Sequence, residues 1–443
     1  MRSERVLIKP NHDDYSSCKQ IARLSKQVFN QALYYKRQAF FRSEFLSFSN
    51  LDQLMKIHHK SLYDSLPNAG SQAVIKKLSG DFDNFWKALN DWKAHPEKYT
   101  EKPQIPKYKK QGQLKTFLLP AKPISVKESH ILLPKKMNIS PVISRFAEDK
   151  KANSSCDIFK EIRIVPHGSC FWIEIVYDET QSKNHFKKNV KLNPDNKLAI
   201  DIGINVLMAV TSNQANFKPV LINGKPIKSI NQYFNKQKAK LMSQSKKRKI
   251  NRLSIKRYNQ IRDYFHKCSN YILQLCLKHD VGEVIIGKNK NWKQAVNIGK
   301  VNNQKFVSIP HFQLIGQLKY KLEAYGILVR EREESYTSKA DSLACDKLPA
   351  YKKGASHIFS GKRVKRGLYR SSTGKTIHAD VNGSLNILRK ASNDDFIEGL
   401  IRSGCVFQPS YWTPNGSVVK KSKPLDCFSD GADFKLHLNG IAI

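Results

Sequence analysis

Two aspartates carry the chemistry open to this sequence. The first lies in Lys197-Leu-Ala-Ile-Asp201-Ile-Gly203-Ile-Asn205-Val-Leu-Met-Ala-Val-Thr-Ser212, an apolar run with one carboxylate inside it. Such runs form buried strands, and a charge there is costly unless it is paired or holds a metal. Gly203 permits a tight turn, after which Val206 to Thr211 returns antiparallel. The second lies in Ile377-His-Ala-Asp380-Val-Asn382-Gly-Ser-Leu-Asn386-Ile-Leu-Arg. Asp380 suits the N-cap or first turn of a helix with Leu385, Ile387 and Leu388 on its apolar side. Either aspartate alone reads as a strand end or a helix cap. Together, 179 residues apart in a basic chain, they suggest a shared metal site.

Hard divalent ions such as Mg²⁺ prefer oxygen ligands. Phosphodiester cleavage by two such ions needs carboxylates converging on a pair roughly 4 Å apart. Two acids are a thin set, so a third is expected on a neighbouring strand.

The rest of the chain must place these groups. Arg5 to Lys9 reads as a strand. From Asp13 to about Phe41 apolar residues recur at three and four, the helical period. A second helix runs from Leu51 to Leu62 with Asn50 as its cap. A third opens at Ser71-Gln72 and puts Val74, Ile75, Leu78, Phe82, Phe85, Trp86 and Leu89 in a core. Pro103-Gln-Ile-Pro106-Lys-Tyr108 is a stiff basic linker. From Leu114 to Tyr177 short alternating runs predict a small β-barrel, with the helical block inserted between its strands. Beyond Asp201 the order is hairpin, third strand (Pro219 to Ile222), long helix, strand (Val284 to Gly287), helix (Phe312 to Tyr325), strand (Ile327 to Arg330) and closing helix. That is the layout of an RNase H-like α/β domain. Asn289 to Gln294 reads as a polar, basic loop.

Charge points to the partner. Lys and Arg number 77 against 37 acids, a net charge of +40, and the pI is about 9.9. A polyanion is the expected ligand, nucleic acid before a membrane surface. Between Lys236 and Arg262 eleven basic residues occur without one acid. Such a run repels itself unless a polyanion neutralises it. Lys246, Lys247, Arg248, Lys249, Arg252, Lys256 and Arg257 are therefore expected to contact phosphates. No run of 18 apolar residues exists, and the first residues lack the apolar core of a signal peptide. The expectation is a soluble, cytoplasmic, nucleoid-associated protein with no membrane partner. Eight cysteines form no CxxC pair, which argues against a disulfide framework and an ordinary zinc ribbon.

The set Asp201-Ile-Gly-Ile-Asn205, Arg262-Asp-Tyr-Phe-His266-Lys267, Ser335-Tyr-Thr-Ser-Lys339 and Ala379-Asp380-Val-Asn-Gly-Ser-Leu-Asn386-Ile, in that order, resembles the TnpB (OrfB-type) family, transposon-encoded relatives of the type V CRISPR effectors. The resemblance covers roughly residues 1 to 392. It implies an RNA-guided DNA endonuclease of a bacterial mobile element, with a guide RNA from the element and double-stranded DNA as partners. It also implies Mg²⁺ or Mn²⁺ at a RuvC-type Asp, Glu, Asp site. The rival readings are an RNA-guided binder without cleavage and a DNA-joining transposase. The implied fold is multidomain α/β. Residues 1–12 and 98–180 would form the barrel, 13–97 the helical insertion and 181–195 a linker. Residues 196–340 and 371–392 would form the RNase H-like nuclease domain, 341–370 a degenerate zinc-ribbon-like insertion and 393–443 a tail without chemistry.

The sequence departs from the family at two places. Gly287 stands where the middle Glu is expected, and the acids of Val329-Arg-Glu331-Arg-Glu333-Glu334 end the adjacent strand. Glu334 is the first choice for the third acid and Glu333 the second; Glu283 lies at the far end of its strand. The family's paired CxxC is reduced to Cys345, which argues against thiolate zinc. The basic loop with Lys362, Arg363 and Arg366 is expected to meet nucleic acid instead.

Overall fold

The computed structural model describes residues 2–127, 130–144, 159–178, 190–288, 307–350 and 356–414. The chain divides into two compact units. Residues 1–190 and 230–262 form the first, and 191–229 with 263–443 the second. The basic stretch 230–262, expected within the 196–340 segment, is thus grouped with the N-terminal unit. The expected loop at 289–294 lies outside the described residues. No helix among the described residues is long and apolar enough to cross a membrane.

In the first unit, strand β1 (Arg2–Ile8) precedes helices α1 (Tyr15–Phe41), α2 (Phe48–His58), α3 (Lys60–Asp64) and α4 (Asn68–Ala94). Then follow β2 (Phe117–Pro120), β3 (Ser125–Lys127), β4 (His130–Leu132), β5 (Val142–Ile143), β6 (Phe159–His167) and β7 (Cys170–Tyr177). Among the described residues the ladders are two, β1-β7-β6-β2 and β3-β4-β5, with the helices inserted between β1 and β2. The α1 stripe of Ile21, Val28, Phe29, Ala32 and Leu33 and the α4 stripe of Val74, Ile75, Leu78 and Phe82 share one core with Ile162, Ile164, Ile173 and Ile175 of the sheet. Each fully buried aliphatic side chain contributes roughly 1.5–3 kcal/mol. Two local expectations change. Ser47, not Asn50, caps α2, its hydroxyl accepting from the Asn50 amide at 3.1 Å. Trp86 is 45% exposed rather than part of the core.

In the second unit, β8 (Asn193–Ile202), β9 (Val206–Ser212) and β10 (Val220–Asn223) form an antiparallel meander. Helices α5 (Lys225–Ser243) and α6 (Lys247–Lys278) follow in the chain, their residues 230–262 belonging to the first unit, then β11 (Val281–Gly287), α7 (His311–Glu323) and β12 (Leu328–Arg332). The small sheet β13 (Lys362–Lys365), β14 (Leu368–Arg370) and β15 (Thr376–His378) leads into α8 (Ala379–Arg389). Helix α9 (Phe396–Ser403) and β16 (Ser410–Trp412) complete the described chain. The large sheet has the order β12-β11-β8-β9-β10-β16, with β11 parallel to both β8 and β12. The single long helix expected after β10 is two helices, broken at Ser245, whose φ of 52° is left-handed. Residues after 392, expected as a tail without chemistry, supply α9 and the edge strand β16, which runs parallel to β10. Trp412 stacks on Tyr271 of α6 with ring centroids 4.1 Å apart.

Candidate active site

Asp201 sits near the end of β8, the strand between β11 and β9. The last β11–β8 pair is Ile286 with Ile200, so Gly287 stands level with Asp201. Gly287 in turn pairs with Arg332 of β12, two residues before Glu334. Three adjacent strands therefore end on the same side of the sheet. Asp380 arrives from the opposite end of the sequence, in the first turn of α8. His378 caps that helix, its ring Nδ1 accepting from the Asp380 amide at 3.2 Å.

Helix α8 is held by polar contacts on more than one side. Ser384 Oγ donates to Ala199 O at 3.0 Å and meets Thr211 Oγ1 at 2.9 Å, which fixes the helix on β8 and β9. Asn382 and Asn386, one helical turn apart, grip the segment after Glu334. Asn382 Nδ2 donates to Ala340 O at 2.8 Å, and its Oδ1 accepts from Ser342 N at 3.0 Å. Asn386 Nδ2 donates to Thr337 O and Ala340 O at 2.9 and 2.7 Å. Both asparagines are fully buried, so each amide would be costly unpaired. Thr337 Oγ1 closes the chain of contacts by donating to Glu334 O at 2.8 Å. Sequence reasoning missed these residues. The signal was two polar side chains at i and i+4 on a helix whose Val381, Leu385, Ile387 and Leu388 are apolar.

The acids on and beside β12 divide cleanly. Glu331 is bound by Lys288 and Lys319 at 2.6 and 2.8 Å. Glu333 pairs with Lys390 at 3.0 Å. Glu283 pairs with Arg330 at 3.0 Å and Lys197 at 3.5 Å, at the other end of β11. Glu334 instead turns toward Asp201. A Cβ built on Gly287 would lie 2.8 Å from Glu334 Oε2 and 2.5 Å from Ile387 Cδ1. The carboxylate of Glu334 thus fills the space that a side chain at 287 would occupy. Gly383 plays the matching part on α8, where an added Cβ would stand 2.6 Å from Asp201 Oδ2. The helix backbone can approach the carboxylate only because that position is glycine.

Crowding shows in the proton affinities. Burial, then the charge of Asp380, pushes Asp201 up to about 7, against a lowering pull from Arg363. Burial, then the charges of Asp201 and Glu333, pushes Glu334 up to about 8, against Lys390. Asp201 is the common member, felt from both sides. Arg363 of β13 reaches Asp380 Oδ1 at 3.5 Å. Its neighbour Arg366 meets the Asn205 side chain at 3.2 Å, with the amide oxygen oriented toward the guanidinium. The small sheet therefore brings positive charge to the rim of the acidic group. Among the described residues no three His, Cys, Asp or Glu side chains already stand close enough to ligate one ion together. The donor set is nonetheless all hard oxygen, and its mutual repulsion is the kind a divalent cation relieves.

The other expected contacts are mostly exposed. Lys246, Lys247, Arg248, Lys249, Arg252 and Lys256 lie on the surface of the first unit, and Lys362, Arg363 and Arg366 on that of the second. Arg257 is different. It is half-buried, donates to Asn231 Oδ1 at 2.6 Å and stacks on Phe234 at 5.0 Å. It ties α5 to α6 and is not available to a phosphate in the way its exposed neighbours are.

The segment expected as a degenerate zinc ribbon is organised by Asp341, which is fully buried. Its Oδ1 accepts from Leu343 N at 3.1 Å and Ala344 N at 3.3 Å, and its Oδ2 from Ser372 N at 2.8 Å. The hydroxyls of Ser372 and Ser360 also point at Oδ2, at 3.3 and 3.5 Å. Asp346 accepts from Ser360 N and Asp341 N at 3.0 and 2.9 Å.

Comparison with known proteins gives matches along most of the chain. Residues 175–293 match the family model OrfB_IS605, described as "Probable transposase", and residues 311–387 match the Cas12f1-like TNB domain. The TnpB-like protein ORF457 of Acidianus two-tailed virus is 24% identical, over 88% of this chain and 86% of the viral protein. Among solved structures, a Cas12f1–sgRNA–target DNA complex is similar at 16% identity, 87% and 99% coverage and a TM-score of 0.34. The RNA-guided endonuclease CRISPR-Cas_phi3 is similar at 11% identity, 88% and 92% coverage and a TM-score of 0.43.

Proposed function

The chain is a TnpB-family protein, and we propose that it works as an RNA-guided DNA endonuclease of a mobile element, with Asp201, Glu334 and Asp380 as its catalytic acids. One observation carries the choice of residues: the Glu334 carboxylate occupies the place that a side chain at Gly287 would fill, beside Asp201. The middle acid of the site has moved one strand along, from the end of β11 to just past the end of β12. The strand order, with three antiparallel strands followed by two parallel ones, supports the RNase H-like reading of this sheet.

Asp201, Glu334 and Asp380 would hold Mg²⁺ or Mn²⁺, with Asp201 as the shared ligand. Bound divalent ions would supply an activated water and a charge sink for the leaving oxygen. The protein's own groups do the rest. Asn382 and Asn386 keep the backbone after Glu334 fixed on α8. Arg363 offers its guanidinium to Asp380 and, with Lys362 and Arg366, meets the phosphate backbone at the rim. The exposed lysines and arginines between 246 and 256 neutralise phosphates of the guide or target, while base pairing supplies sequence choice.

The test is direct. The protein is purified with its co-expressed RNA, the RNA is sequenced, and matching duplex is added with Mg²⁺. Cutting that disappears in Asp201→Ala and Glu334→Ala, with duplex binding retained, supports the assignment. Tight binding without cutting by the unaltered protein makes it a binder. Strand-transfer products formed without RNA make it a transposase. Normal cutting by Glu334→Ala removes Glu334 from the site.

A further inference from the structure

The first unit carries a second arrangement that the carboxylate centre does not use. The linker after α4 is strapped back across α1. Asn30 and Lys109 exchange two hydrogen bonds, Nδ2 to the Lys109 carbonyl and the Lys109 amide to Oδ1, both at 2.9 Å. Arg37 Nη1 donates to Pro106 O at 3.0 Å. The Arg37 guanidinium then lies over two rings, 5.4 Å from the centre of Phe41 and 5.5 Å from that of Tyr108. A guanidinium has five N–H donors, and Pro106 takes one of them.

Beside this stack lies a groove of about 480 Å³, lined by Arg37, Gln104, Ile105, Lys107 and Tyr108. Its one aromatic wall is open, Tyr108 being 44% exposed, and Phe41, the other ring under Arg37, is 63% exposed. Large rings left in water beside a fixed guanidinium offer flat faces and positive charge together. From Lys102 to Lys127 the sequence contains no acid. An acidic protein surface would find charge here but little use for a fixed stack. An unpaired nucleobase would use both, since every base has a π-face and a phosphate beside it.

We propose that the Arg37–Tyr108 groove binds an unpaired nucleobase of a single-stranded segment, stacked on Tyr108 and held by Arg37, with Lys107 on the adjoining phosphate. Gln104 supplies an amide for the base edge. The inference rests on the nucleic-acid partner proposed above but not on the carboxylate centre, so loss of cleavage and loss of this site are separate outcomes.

Stacking and charge are separated by two probes on the full chain: a fluorescein-labelled oligouridylate and an abasic strand of equal length. The unaltered protein is expected to prefer the strand with bases. Tyr108→Ala is expected to weaken that strand about tenfold, leave the abasic strand unchanged and leave the salt slope unchanged. Tyr108→Phe keeps the ring and is expected to keep the preference. Lys107→Ala is expected to weaken both strands alike and to lower the salt slope by about one. Photocrosslinking of 5-iodouridine strands to the unaltered protein, which needs no variant to fold, is expected to mark Tyr108 or its neighbours. A preference for bases that survives in Tyr108→Ala overturns the proposal, as do crosslinks confined to other parts of the chain. So does a change of oligomeric state in Tyr108→Ala without a change in strand binding, which would make a second copy the occupant.

Discussion

Two groups of buried acid lie within one unit and differ in how their charge is met. At Asp341 the carboxylate is surrounded by donors: three backbone amides and two serine hydroxyls point at it. At Asp201 the neighbours are Asp380 and Glu334; Arg363 pulls the other way at Asp201 and Lys390 at Glu334. The first arrangement is complete as protein. It pins the loops at 343–344, 360 and 372 to one point and so holds the small basic sheet in shape. The second is buried among like charges, and burial first and then that repulsion raise its proton affinities. A buried carboxylate whose lone pairs are filled by N–H and O–H groups is a fastener. One set among other carboxylates keeps its charge unmet, which is what the proposed cation would relieve.

The contrast is sharpest in a swap. Glu334→Ala is expected to cut DNA at least a thousandfold more slowly, the order seen when one member of a catalytic set is removed. Gly287→Glu alone is also expected to fail, because its Cβ would collide with Glu334 Oε2 and Ile387. Gly287→Glu combined with Glu334→Ala removes the Oε2 clash, leaves only the end of the Ile387 side chain to shift, and is expected to restore part of the rate. Single-turnover cleavage measures all three. A double variant as dead as Glu334→Ala would mean that position 287 no longer faces the site.

Stability is expected to move in opposite directions at the two acids. Asp201→Asn removes one of the repelling charges and should raise the melting temperature in EDTA by a few degrees. Asp341→Ala leaves buried donors without acceptors, at about 1–3 kcal/mol for each one left unpaired, and should lower it by several degrees with or without Mg²⁺. Equal and same-signed shifts would erase the distinction between fastener and receptor.

The same difference sets a pH dependence. Asp201 and Glu334 bind protons more tightly in the folded state than in the unfolded one. Their contribution is therefore fully present below the unfolded carboxylate range, near pH 4, and is lost as pH rises through about 7 to 8. Metal-free protein should melt at lower temperature as pH rises across that window, and Mg²⁺ should flatten the curve. Thermal melts in EDTA and in Mg²⁺ give the comparison.

The smallest effects belong to neighbours on α6. Lys256→Ala should reduce the salt slope of duplex binding by about one and leave stability unchanged. Arg257→Ala should do the reverse, because its guanidinium is engaged with Asn231 and Phe234.

These neighbours also mark how far the sequence could be read. A run of lysines and arginines announces a phosphate-binding face, but only the packing of α5 on α6 says which of them faces inward. Asp201 was legible because a carboxylate in an apolar strand needs a reason, and Asp380 because it opens a helix late in the chain. Glu334 was reachable through the family's missing acid and the position of its strand; composition alone offered Glu331 and Glu333 equally. Asn382 and Asn386 were visible as polar residues but not as clamps, since their partners, Thr337 and Ala340, lie some forty residues upstream. The break at Ser245 had no glycine or proline to announce it. Three residues are too few for a strand to show a period, so β16 could not be foreseen.

That last strand bears on any attempt to shorten this protein. Val220, Leu221 and Ile222 take Ser410, Tyr411 and Trp412 as their outer neighbours, so the sheet that carries Asp201 is finished by residues synthesised after Asp380. A version cut back to the end of the recognisable motifs, near residue 392, would leave β10 as a bare hydrophobic edge and Tyr271 without its indole. Such edges recruit one another, and the trimmed molecule is expected to precipitate where the longer one stays dispersed. Shortened versions should keep the chain through Trp412.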